Sequence, residues 1–213
     1  MKPRVLLADD HPLLTEGFRL LLEPEFNVVG SVVDGRALLA AAAELKPDVV
    51  LLDISMPLLN GIEAAKQLHK SLPACRIIFV TMHLESEYVT AAFKAGARGF
   101  VSKRAAVAEL REAIRQVLAG RHYVTPLVTR EALAPLLNSR AVPDSESKDP
   151  LTARQREVLQ LVAEGRSRKE IASILQISVK TVEFHKAAIM RELGLNNAAE
   201  MIRYALAHRI IAG

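Results

Sequence analysis

Five polar residues interrupt an otherwise apolar pattern in the first half of the chain, and their types suit one chemistry. Asp9 and Asp10 follow the run Val5–Ala8, Asp53 follows Val49–Leu52, Thr81 follows Ile77–Val80, and Lys103 comes just after Gly99–Val101. Three carboxylates brought together repel one another unless they are protonated or bound to a cation. An all-oxygen cluster favours Mg²⁺, which keeps several waters and takes a phosphoryl oxygen readily. A carboxylate can also attack as a nucleophile and form an aspartyl-phosphate. A hydroxyl and an ammonium close by would orient and neutralise the phosphoryl oxygens. The set reads as in-line phosphoryl transfer onto a carboxylate with metal assistance. Each residue has a plainer reading alone: an Asp after a strand often caps a helix, Lys103 could be a solvated loop lysine, and Thr81 a routine strand end. The joint placement at four strand ends is what favours the chemistry.

The elements that must position these residues follow from periodicity. The apolar runs Val5–Ala8, Val28–Val33, Val49–Leu52, Ile77–Val80 and Gly99–Val101 mostly lack polar alternation, as strands buried on both faces do. Helix-period segments lie between and after them, near 13–22, 36–46, 61–71, 86–95 and 106–119. Five β–α repeats predict an α/β, doubly wound, flavodoxin-like domain with a five-stranded parallel sheet. In the order 2-1-3-4-5 the first and third strands are neighbours, and ligands bind at the carboxyl ends. That order would gather Asp9, Asp10 and Asp53.

Around Arg121 the pattern fails, and residues 138–150 have turn and linker composition, with Glu131–Leu137 a candidate lone helix. From Leu151 the pattern is helical, with capping pairs at Thr152/Gln155, Ser167/Glu170 and Asn197/Glu200, and Gly165 and Gly194 where helices end. Four helices are expected, near 153–164, 168–175, 179–193 and 198–210. The organisation is therefore a domain over 1–121, a linker over 122–149, and an all-α four-helix domain over 150–213.

Composition narrows the partners. The net charge of +4 is concentrated: residues 150–213 carry 10 Lys+Arg against 6 Asp+Glu, whereas residues 1–121 carry 15 against 14. A basic C-terminal third suggests nucleic acid. Trp is absent and Cys75 is the single cysteine, so an internal disulfide or Cys-based metal site is excluded. Reducing cytoplasm is the expected compartment. The basic start is followed by an apolar run that Asp9-Asp10 stop at once, far short of the ~7–15 apolar residues of an export signal. No stretch approaches the ~20 apolar residues of a membrane span, and no membrane association is expected.

The segments VLLADDH (5–11), LDISMP (52–57), NG (60–61), TMH (81–83) and SK (102–103) resemble a response-regulator receiver domain, most closely of the NarL/FixJ subfamily. The resemblance spans residues 4–120. It implies that Asp53 is the phosphoacceptor, that Asp10, Asp53 and the Ser55 carbonyl ligate Mg²⁺ with Asp9 acting mainly through water, and that Thr81 and Lys103 hold the phosphoryl group. Phe100, three before the lysine, takes the position of a switch aromatic. Met56-Pro57 and Gly61 would shape the loop beside the acceptor.

In the last third, the segment 168–175, the turn 176–178 and the helix from Val179 have helix-turn-helix proportions. Ile171, Ala172, Leu175, Ile177, Val182, Ile189 and Leu193 would pack the helices together. Lys180, Glu183, Phe184, Ala187 and Arg191 recur on the opposite face. A generic bundle with a charged solvent face fits the capping signals equally well. The segments LTARQREVL (151–159), EIA (170–172), ISVKTVEFH (177–185) and LGL (193–195) resemble a LuxR-type helix-turn-helix over about 150–211. Two departures are Gln155 for a usual Glu and Arg168 for a usual Asn. Expected DNA-facing residues are Arg168, Lys169, Lys180, Thr181, Glu183, Phe184, His185, Lys186 and Ala187. Arg168, Lys180 and Lys186 would meet phosphates; Glu183, Phe184 and Ala187 would meet bases, unless Glu183 pairs with Lys180 or Lys186.

The combined reading is a DNA-binding transcriptional response regulator, phosphorylated on Asp53 by a sensor histidine kinase and acting on double-stranded promoter DNA. It would not be an enzyme on a separate substrate. Phosphorylation is expected to favour a homodimer through Met201, Ile202, Ala205 and Leu206, expected exposed on the last helix, or partly packed on the domain's first helix. The alternatives are a DNA-binding regulator with a vestigial receiver, and a stand-alone phosphatase using Asp53, which would leave the last third unexplained.

Overall fold

In this computed structural model, residues 1–128 and 150–211 are described. The chain divides into two compact units, Met1–Ala141 and Val142–Gly213. The candidate helix at 131–137 lies outside the described residues.

The first unit alternates strands and helices in chain order: β1 (Arg4–Ala8), α1 (Pro12–Leu22), β2 (Asn27–Val32), α2 (Gly35–Leu45), β3 (Val49–Leu52), α3 (Gly61–Ser71), β4 (Arg76–Thr81), α4 (Ser86–Lys94), β5 (Gly99–Ser102), α5 (Ala106–Leu118) and β6 (Tyr123–Val124). The sheet order is β2-β1-β3-β4-β5-β6, with all pairs parallel. The strands are apolar along their length because successive side chains feed two cores. Leu6, Val50, Leu52, Ile77, Phe79 and Phe100 pack with Leu38, Leu68 and Val89 of α2–α4. Val5, Leu7, Val49, Leu51, Ile78, Val80 and Val101 pack with Phe18 and Leu22 of α1 and Leu110 and Ile114 of α5.

The sheet has a sixth strand beyond the five expected. β6 pairs with β5 through Gly99↔Tyr123 and Phe100↔Val124. Two residues are too few to show any periodicity, so the sequence pattern carried no signal for it. Tyr123 is held from the other side as well: its hydroxyl donates to Glu109 Oε2 of α5 at 3.1 Å.

The second unit contains α6 (Ala153–Ala163), α7 (Arg168–Leu175), α8 (Val179–Leu193) and α9 (Ala198–Ala207). The caps expected at Thr152/Gln155 and Ser167/Glu170 are complete capping boxes, and Asn197 Oδ1 accepts from the Glu200 N–H at 3.0 Å. Each satisfies backbone donors that the first helical turn leaves without partners. Gln176, left-handed at φ 53, ends α7 and turns the chain into Ser178, the cap of α8. Arg154 of α6 donates to the Leu175 carbonyl at 2.7 Å and so satisfies an acceptor at this same C-terminal end of α7.

Two expectations about burial are corrected. Ile177 and Leu193 are only half-buried, because both lie at the edge of the α7–α8 contact, where the chain turns or the helix ends. Met201 and Ala205 are not exposed but fully buried. They sit one turn apart on the face of α9 that closes on α6. Ile202 is half-buried, and of the four only Leu206 is exposed.

Candidate functional site

The strand ends bring the acidic residues together. Pairing of β1 with β3 continues one residue past the strands, the Asp53 N–H donating to the Ala8 carbonyl at 2.9 Å. The same extension of β1 against β2 joins the Asp9 N–H to the Val32 carbonyl at 3.1 Å. Register therefore sets both carboxylates at one end of the sheet. Carboxylate and imidazole atoms of Asp9, Asp10, His11 and Asp53 lie within 4.8 Å of one another. Asp9 and Asp53 are buried, whereas Asp10 and His11 are exposed.

Lys103 joins the two buried carboxylates. Its Nζ lies 2.8 Å from Oδ2 of Asp53 and 2.8 Å from Oδ2 of Asp9. Its backbone N–H donates to the Thr81 carbonyl at 2.8 Å, which carries the β4–β5 pairing up to the site. Oδ1 of Asp53 accepts from the Ile54 N–H at 2.7 Å. Burial pushes the Asp53 carboxyl above its ordinary range; the Lys103 ammonium opposes this, nearby Asp9 adds to it, and the Ile54 N–H counters weakly. Burial acts to lower the Lys103 ammonium, but Asp53 and Asp9 outweigh it and hold it above its ordinary value. One cation thus screens two buried anions.

The loop between β3 and α3 is shaped by backbone geometry. Leu58 is left-handed at φ 64. The Gly61 N–H donates to the Ile54 carbonyl at 2.8 Å, and a Cβ at Gly61 would collide with the Asp53 carbonyl oxygen. Asn60 Oδ1 caps α3 by accepting from the Glu63 N–H at 3.0 Å. Thr81 is fully buried, its Oγ1 accepting from the His83 N–H at 3.3 Å. Phe100 is fully buried among the α2–α4 core residues.

Two histidines lie beside the pocket. His11 Nδ1 lies 2.9 Å from Oδ1 of both Asp9 and Asp10. His83 Nε2 meets the Ser55 hydroxyl at 2.9 Å, and its ring lies 4.6 Å from that of Tyr88 on α4. His11 could have been found from its adjacency to the acidic pair. The contact of Ser55 with His83 spans 28 positions and has no local sequence signal.

The donor set fits a hard divalent cation. It offers carboxylate oxygens with one member, Asp10, open to solvent, as an ion that retains waters requires. Of the other expected ligands, Ser55 lies half-buried two residues past Asp53.

The helical unit gathers the other set of expected residues along α7 and α8. Arg168, Lys169, Lys180, Glu183, Phe184 and Ala187 are exposed, while Thr181, His185 and Lys186 are half-buried. Phe184 is 69% exposed. The Thr181 hydroxyl is engaged in the cap, 2.8 Å from Ser178 Oγ. Glu183 pairs with neither Lys180 nor Lys186: its Oε1 accepts from Arg168 Nη1 at 2.6 Å. Arg168 lies 15 positions away on another helix, a partner that spacing along α8 alone could not reveal.

A parallel sheet with an acidic pocket at its strand ends, followed in one chain by a helical unit of helix-turn-helix proportions, is the two-part architecture of a DNA-binding response regulator. Residues 5–115 match the family described as response regulator receiver domain, and residues 149–205 match the luxR family of bacterial regulatory proteins. The chain belongs to the two-component response regulators that join a receiver to a LuxR-type DNA-binding domain. It is 37% identical over 213 residues to the transcriptional regulatory protein MctR of Rhizobium johnstonii, covering 99% of this chain and 96% of that protein. It is 34% identical to the oxygen regulatory protein NreC of Staphylococcus haemolyticus, covering 98% and 99% respectively. Among solved structures, the RcsB response regulator of Salmonella typhimurium superposes with a TM-score of 0.62 at 29% identity, covering 99% of each chain. A structure of an RcsB–DNA complex matches with a TM-score of 0.56 at 31% identity, covering 96% of this chain and 98% of that one.

Proposed function

We propose that Asp53 is the phosphoacceptor of this response regulator, and that a sensor histidine kinase is its phosphodonor. The observation that carries this is the Asp53–Lys103 contact of 2.8 Å inside the acidic cluster. Asp53 is buried within that cluster, and Lys103 bridges it to Asp9. Asp10, Asp53 and the Ser55 carbonyl would hold Mg²⁺, with Asp9 acting mainly through water. When bound, the ion supplies charge neutralisation for the incoming phosphoryl oxygens. Lys103 orients one of those oxygens by exchanging its bond to Asp53, and the Thr81 hydroxyl takes another on leaving the His83 N–H. Phe100 follows Thr81 as the switch aromatic, since both lie on neighbouring strands.

The output is promoter DNA held by the helical unit. Arg168, Lys169, Lys180 and Lys186 bring the positive charge that phosphates require. Glu183, Phe184 and Ala187 face base edges, with Thr181 and His185 alongside. A homodimer would form on phosphorylation, with Leu206 the apolar residue α9 leaves exposed for it. The chain acts as a regulator in the cytoplasm, not as an enzyme on a separate substrate. The working organisation is a receiver over 1–121, a linker over 122–149 and the DNA-binding domain over 150–213. Incubation with a small phosphodonor and Mg²⁺ should add one acid-stable, base-labile phosphoryl group. Full labelling of Asp53→Asn, or labelling indifferent to EDTA, would sink the assignment.

A further inference from the structure

We propose that Arg168 is a positioning residue for base reading by Glu183, so that two side chains from different helices recognise DNA as one unit. The inference rests on α8 being the groove-facing helix. Arg168 Nη1 donates to Glu183 Oε1 at 2.6 Å, although both side chains are largely solvated, 61% and 50% exposed. An exposed ion pair adds little to fold stability, so maintenance of the bundle does not account for the arrangement.

Its placement does. Arg168 opens α7, and Glu183 lies on the second turn of α8, beside Phe184. A bare carboxylate on a face that meets phosphates is repelled by them. The guanidinium cancels that charge, and its planar fork fixes the plane of the carboxylate. The bond shown engages Oε1, which leaves the carboxylate acceptor capacity for a base amino group. Cytosine N4 is the amino group that Glu accepts from in the major groove. The other guanidinium N–H groups remain free to meet a phosphate, so Arg168 also ties the reader to the backbone. The backbone that carries Arg168 is held in place: the Ser167/Glu170 capping box closes the start of α7, and Ile171 and Leu175 are buried.

Selection from randomised duplexes tests this with the full chain, run with and without a small phosphodonor plus Mg²⁺. Wild type is compared with Glu183→Gln, Arg168→Ala and Arg168→Lys, each checked for an unchanged melting temperature. Glu183→Gln and Arg168→Ala should relax the same base column, its preference falling about fivefold or more. Arg168→Lys keeps the charge without the fork and should restore part of that preference. The proposal is overturned if Arg168→Ala keeps the wild-type column and weakens binding to every sequence alike, with a salt slope smaller by about one. An unchanged column in Glu183→Gln overturns it too. A wild-type chain that selects no sequence under either condition would instead remove α8 as the groove-facing helix, an outcome distinct from both.

Discussion

Lys103 and Asp53, 50 positions apart in the chain, are joined Nζ to Oδ2 at 2.8 Å with side-chain exposures of 7% and 4%. The same ammonium reaches Asp9, so two buried anions share one cation. Removing a single partner from such a group leaves an uncompensated buried charge, which costs far more than an exposed pair is worth.

Lys103→Met should therefore lower the unfolding free energy by about 1–3 kcal/mol, since Asp53 can relieve part of the strain by taking a proton. Mg²⁺ should raise the urea midpoint of the variant more than that of wild type, because a divalent ion replaces the lost charge. Equal Mg²⁺ responses would show that the lysine does not carry the charge balance of the pocket.

Gly61→Ala tests the loop geometry. The added methyl meets the Asp53 carbonyl oxygen and nearby backbone, and backbone cannot swing aside as a side chain can. A loss of about 1–3 kcal/mol, the usual range for overpacking, is expected in chemical denaturation. Phosphoryl labelling should fall with it, because the shift needed to admit the methyl moves Asp53 itself. Wild-type stability and labelling together would refute the contact.

On α9, Met201 and Leu206 should behave oppositely. Met201 is fully buried, so Met201→Ala should cost about 2–5 kcal/mol in thermal or urea unfolding. Leu206 is 41% exposed, and Leu206→Glu should change monomer stability by roughly 0.5 kcal/mol or less. If α9 forms the dimer contact, Leu206→Glu should abolish two-chain complexes in sedimentation of the phosphorylated protein on DNA. A two-chain complex that survives places the dimer contact elsewhere.

Cys75 is a reporter of folding. Burial, aided by nearby Asp48 and opposed by Arg76, pushes its thiol from 9.0 up to about 12. In the native protein at pH 8 alkylation should be slow and should follow unfolding, because the thiolate is the reactive form. The raised value means that the folded state holds this proton more tightly than the unfolded chain. The associated stability is present below about pH 9 and declines as pH climbs from there toward about 12. A native thiol alkylated as fast as the denatured one would contradict this.

The sheet and pocket were legible in the sequence because apolar runs and the polar residues that end them are local signals. All five long strands and Asp9, Asp53, Thr81 and Lys103 follow from that reading. Contacts made across the fold were not. Arg168 with Glu183 and Ser55 with His83 depend on how helices and loops meet, which no periodicity records. α9 shows a related limit. Its apolar stripe was visible, but helical spacing shows which face is apolar without showing what covers it, and α6 covers most of it.

The strict division of the sheet into two cores gives the pocket a direction. Phe79 and Phe100 are paired neighbours in the register and both project toward α2–α4, whereas Val80 and Val101 project toward α1 and α5. The sheet is a partition, and Phe100 has contacts on one side of it only. Its ring shares that core with Tyr88, Val89 and Ala92 of α4, whereas Phe18 and Ile114 belong to the other. A ring that shifted in response to the strand ends would therefore be felt in the core under α2–α4 rather than in the one under α1 and α5.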